Sequence, residues 1–190
     1  MDRIKDVALF QRVQVLLAGV KAGRGQFTES LEIYSELITN QAMDGGVEYT
    51  FIIFQAAILL KHIGQNAQAI EYLEFLIDDP PVQDGYSKMH ILAFLALVYE
   101  QSGAHYSVVK ERTYDELLQS YQSELSFGKK PQTNKKKIDN MLSKKTLGES
   151  SEIWEMLGLQ ALERCDYVYA IELFKQVTLM SKLSYRCIDI

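Results

Sequence analysis

Three glycines, Gly25, Gly64 and Gly103, stand 39 residues apart, and each closes an apolar stretch long enough to make a helix. Equal spacing of one kind of break marks an internal repeat, whose units bury their apolar sides by stacking on one another. Ahead of the first break, Asp2 to Ala22 sets Ile4, Val7, Ala8, Phe10, Val13, Leu16, Leu17 and Val20 at spacings of three and four, the pattern of an amphipathic helix. After Gly23-Arg24-Gly25-Gln26, Thr28 is placed to cap a second helix carrying Leu31, Ile33, Tyr34, Leu37 and Ile38. A polar turn from Asn40 to Gly46 ends the pair.

The second unit repeats the design, with a helix over about Val47–Ile63, a break at Gly64-Gln65-Asn66, and a helix over Ala67–Ile77 closed by Asp78-Asp79-Pro80-Pro81. Its first helix is apolar almost all round (Phe51, Ile52, Ile53, Phe54, Ala56, Ala57, Ile58, Leu59, Leu60), as an enclosed helix is. The third opens after Asp84-Gly85 with a helix over about Ser87–Gln101. Its second helix falls into register only after a shift of two residues, which brings Tyr114 and Leu117 into line. This reads as a long helix over about Tyr106–Ser126 with a local insertion.

Beyond it the texture changes. Between Lys129 and Lys145 lie Lys129, Lys130, Lys135, Lys136, Lys137, Lys144 and Lys145 against one Asp, so this stretch carries +6 and the rest of the chain −11. Residues 127–150 are expected to be a flexible basic insert with a weak amphipathic segment at Ile138–Lys145, separating residues 1–126 from a fourth unit and tail at 151–190. In that unit Ser151 is expected to cap the first helix, and the break falls at Cys165-Asp166.

Composition narrows the class. An apolar share of 47% with 24% charged residues and three prolines is that of a folded globular chain. The amino terminus does not read as a signal peptide, and the apolar runs Phe51–Leu60 and Ile91–Tyr99 fall short of a membrane span. The expectation is a cytoplasmic protein, with nuclear, cytoskeletal or ciliary association as variants. Cys165 and Cys187 are expected to be reduced thiols, and the net charge of −5 argues against general nucleic-acid affinity.

The fourth unit carries the most specific signature: Trp154, then Leu157-Gly158, then Ala161, Ala170 and Phe174. This spacing resembles the tetratricopeptide repeat, a helix-turn-helix unit usually of 34 residues. In the second unit Ala57, Gly64, Ala69, Leu73, Leu76 and Pro81 fall at the matching places. The fourth departs from the pattern with Ala161 for Tyr, Cys165 for Gly and Val177 for Ala, and a 39-residue period implies longer helices or turns. The resemblance implies an all-α fold, a right-handed helical solenoid of about four antiparallel hairpins; an unrelated helical bundle or another helical repeat is the alternative.

By that family's register the first helices line a concave groove that binds a peptide or a partner's helix. The groove positions would be Arg12 and Val15; Phe51, Phe54, Ile58, Lys61 and His62; His90, Ala93, Leu97 and Gln101; and Glu152, Glu155 and Leu159. Phe54 and Ile58 fit the core equally well. The clamp with which some family members hold a chaperone's acidic C-terminal tail is absent, since its places hold Val15, Gly19, Gln55, His90 and Phe94. So apolar a groove suits an amphipathic helix or hydrophobic peptide.

The three histidines, His62, His90 and His105, lie in different units without the spacing of a metal site or catalytic triad, and no phosphate-binding glycine loop is present. The expectation is therefore a non-enzymatic adaptor or scaffold without cofactor or metal, working within a larger assembly. The alternatives are a tether whose lysines dock on an acidic surface (tubulin tails, an anionic membrane or RNA) and a catalytic helical domain.

Overall fold

The computed structural model describes residues 2–40, 49–78, 86–127 and 151–186, and among these the chain is helical with no strand. The helices are α1 (Asp2–Gly23), α2 (Phe27–Thr39), α3 (Tyr49–His62), α4 (Asn66–Asp78), α5 (Lys88–Ser102), α6 (Ser107–Phe127), α7 (Ser151–Glu163) and α8 (Tyr167–Arg186), with a 3₁₀ turn at Ala104–Tyr106. The basic stretch, with all seven of its lysines and the Ile138–Lys145 segment, lies outside the described residues, as does the tail beyond 186.

The chain divides into two compact units, Met1–Ser107 and Val108–Ile190. In the first, α1 packs on α2, α2 on α3, α3 on α4 and α4 on α5, so consecutive hairpins stack as a repeat requires. In the second, α7 packs on α8, and Tyr114 of α6 stands edge-on to Trp154 of α7, with ring centroids 6.3 Å apart. The helix read as the second arm of the third hairpin thus belongs to the C-terminal unit.

Three of the breaks are one motif. At α1–α2 the Gly25 N–H donates to the Ala22 carbonyl at 2.9 Å and the Gln26 N–H to that of Lys21 at 3.0 Å. Gly64 and Gln65 repeat the pair on Lys61 and Leu60, and Cys165 and Asp166 repeat it on Leu162 and Ala161. These are the two bonds of a Schellman cap, which needs a left-handed residue just past the helix end. Gly25 and Gly64 have φ of 79° and 82°; Cys165 is forced to 59°.

The residue closing each cap also starts the next helix, because the carbonyls of Gln26, Gln65 and Asp166 accept from Ser30, Ala69 and Ala170. Asp166 adds its carboxylate, which accepts from the Tyr169 N–H at 3.2 Å. Since an L-residue in this conformation costs about 1 kcal/mol or more, Cys165→Gly should stabilise the C-terminal unit by roughly 0.5–1 kcal/mol, glycine's larger unfolded-state entropy offsetting part of the gain. Urea denaturation followed by circular dichroism checks this; a loss of stability would refute it.

Gly103 differs, with ψ near 174° and a 3₁₀ turn before α6, which is the insertion that displaces the register of the third unit. Small residues recur around the three like breaks. Ala18, Ala57 and Gly158 stand seven residues before them and Ser30, Ala69 and Ala170 five after, all buried. At the first hairpin the contact is close enough for the Ser30 hydroxyl to donate to the Ala18 carbonyl at 2.7 Å. At the last, a side chain on Gly158 would meet the Phe174 ring at 2.8 Å.

Two expected caps are not formed. Thr28 is already the second residue of α2, and Gln26 holds the cap position without a side-chain bond, because the Schellman turn commits the backbone one residue earlier. Ser151 is likewise already helical.

α1 is also oriented against expectation. It turns Gln11 and Ala18 to the core with Val15 and Ala22 beside them, and leaves Val7, Phe10, Val13, Leu16, Leu17 and Val20 exposed. The small Ala18 decides this, since only a side without bulk admits α2 at the Ser30 contact.

Candidate partner-binding surface

The predicted groove residues separate into two groups. Phe54, Ile58, His90, Ala93 and Leu97 are buried in the first unit and offer a partner no surface. Phe54 lies against Tyr86, at 4.6 Å between centroids, and against Phe94 at 6.0 Å. Tyr86 in turn is parallel to Phe51 at 6.5 Å and edge-on to His90 at 5.0 Å. This aromatic cluster fills the place that the register assigned to a groove. Every residue of α5 from Met89 to Tyr99 is buried, so the helix has no side left to line one.

Arg12 and Gln101 are exposed, and Val15, Phe51, Lys61 and His62 are half-buried. Val15 and Phe51 pack at the margin of one core cluster, made by Ala18 of α1, Tyr34 and Leu37 of α2, and Ile52, Ala56 and Leu59 of α3. The His62 ring stacks on Phe27 at 4.7 Å, tying the last turn of α3 to the start of α2. Lys61 and His62 end α3, where the helix dipole favours positive charge. In the second unit Glu155 and Leu159 are exposed on α7, and the side chain of Glu152 lies outside the described residues.

Tyr86 and Ser30 escaped the sequence reading. Tyr86 stands alone between a turn and a helix, outside any period, whereas Ser30 could have been found by counting five residues on from the break, where the second and fourth units hold alanine.

The Tyr99 phenol donates to a Glu74 carboxylate oxygen at 2.5 Å, and burial first and that carboxylate second raise its pKa above the free value of 10.0. Burial raises that of Tyr169 as well, with a smaller push from Asp166. The folded chain holds these protons while the unfolded chain loses them near pH 10. Their stabilisation is therefore complete below about pH 10 and fades as pH rises toward the folded values. Urea midpoints should fall from about pH 10 upward, and less steeply in Tyr99→Phe; equal slopes would exclude Tyr99 as a source.

Among the described residues no three His, Cys, Asp or Glu side chains converge as metal ligands, and no helix is long and apolar enough to cross a membrane. The fold and these faces define an all-α protein of stacked helical hairpins. No protein-family model matches the chain, and no curated protein matches it. Among solved structures it is similar to the MamA RS-1 ArsTM double mutant, at 13% identity and a TM-score of 0.42 over 92% of this chain and 76% of that one. A likeness of this size carries no argument about site or partner.

Proposed function

We propose that this chain is a non-enzymatic, tetratricopeptide-like adaptor that binds a peptide or amphipathic helix of a protein partner on the α1–α3 side of its first unit. The observation that carries this reading is the grouping of Val15 and Phe51 around one core cluster, with Arg12 and Lys61 supplying positive charge on the same two helices. A half-buried apolar floor beside cations suits a ligand with an apolar stripe and acidic flanks. Cross-linking mass spectrometry on native extract, with wild type and a Phe51→Ala/Lys61→Glu variant, tests it. The expected result is a partner cross-linked to α1 and α3 and lost in the variant. A partner held equally by both proteins, or cross-linked elsewhere, would contradict it.

The seven lysines between Lys129 and Lys145 support a second reading, a basic arm docking on an acidic surface such as tubulin tails, an anionic membrane or RNA. Deleting residues 128–147 should then weaken binding and flatten its salt dependence.

A further inference from the structure

We infer that the outward face of α1 is a self-association surface, covered by α1 of a second copy of this chain packed antiparallel about a twofold axis near Gln14. The face consists of Leu9, Phe10, Val13, Leu16, Leu17 and Val20, of which Leu16 is 70% exposed, Leu9 63% and Phe10 60%. At 100° per residue they form one continuous stripe about 120° wide.

The helix is inside out for a free monomer. It buries a glutamine and an alanine while holding a phenylalanine, three leucines and two valines of the stripe in water. It cannot roll to hide them, because the opposite side is pinned by the Ser30 hydroxyl on the Ala18 carbonyl.

The stripe matches itself. Under a twofold axis near Gln14, residues equally far from the axis and on the same edge of the helix meet. Leu9 then comes opposite Val20, Phe10 opposite Leu17 and Val13 near Leu16, each pair within one residue of equal distance from the axis, so the six cover one another. The stripe holds no charge, and there is no acidic residue from Val7 to Gln26, so closing the pair buries no unpaired carboxylate.

The area agrees as well. The six residues expose about 600 Å², at the upper limit of what a monomer leaves open. Complete closure of the stripe in two copies would bury at most about 1,200 Å², the lower edge for a specific stable interface. A foreign helix could cover the stripe, but the internal matching of its six residues singles out a second copy.

Sedimentation equilibrium of the full chain tests this. The wild type should be a dimer at about 50 µM, and Val13→Glu/Leu16→Glu should be a monomer with unchanged helical circular dichroism, its dissociation constant raised at least a hundredfold. Leu16→Ser, milder at an exposed site, should give an intermediate constant, while Phe75→Glu on α4, exposed but off the stripe, should leave the dimer intact. A monomeric wild type, or a dimer indifferent to the α1 substitutions, would overturn the proposal.

Discussion

Trp154→Ala should cost the C-terminal unit about 3–5 kcal/mol, as the loss of a large aromatic from a closed core does. Trp154 is wholly buried on α7, Leu157, Ala161, Ala170 and Leu173 of the same hairpin are buried too, and Tyr114 stands edge-on to its ring. That contact ties α6 to the hairpin, so the cavity should loosen α6 as well as α7 and α8. Trp154→Phe should cost distinctly less. The indole N–H is buried without a hydrogen bond among the described residues, so removing it relieves a desolvated donor while most of the ring volume stays. Trp154 is the chain's one tryptophan, so the comparison calls for urea denaturation followed by circular dichroism rather than fluorescence. Equal losses for the two substitutions would contradict this account of the site.

Phe54→Ala should cost the first unit a similar amount, about 3–5 kcal/mol. Its ring is closed in by Tyr86 and Phe94, neither of which can fill the void without breaking its own contact with His90 or with the rest of α5. On a groove wall the same substitution would change stability by no more than about 0.5 kcal/mol. Urea denaturation of Phe54→Ala beside Phe51→Ala therefore separates core from surface: Phe51 is half-buried and should cost much less.

The hairpins were legible because their punctuation is a backbone requirement. A left-handed residue past a helix end favours glycine, and Gly25 and Gly64 mark two of these positions while Cys165 marks the third through its departure from the rule. The small residues that let helix pairs approach were legible at Ala57, Ala69, Gly158 and Ala170, since packing distance depends directly on side-chain size. Which residues would face a partner was not legible. Phe51–Leu60 and Ile91–Tyr99 are apolar nearly throughout, and a helix without a polar side has no period from which to choose a direction. In α1 a period exists, yet it pointed the wrong way, because the close contact at Ala18 and Ser30 outweighs the greater apolarity of the opposite side. Thr28 fitted a capping pattern that the Schellman turn had already made redundant.

Phe54 and α5 from Met89 to Tyr99 are core, and of the expected groove residues of the first unit Arg12, Val15, Phe51, Lys61, His62 and Gln101 keep some exposure. Hydroxyl-radical footprinting reads side-chain exposure directly. Phe54, Tyr86, Phe94 and Tyr99 should be protected while Phe75 and Tyr167, each half exposed or more, are readily oxidised. Oxidation of Phe54 and Phe94 at the rate of Phe75 would mean that the groove is open and the account is wrong.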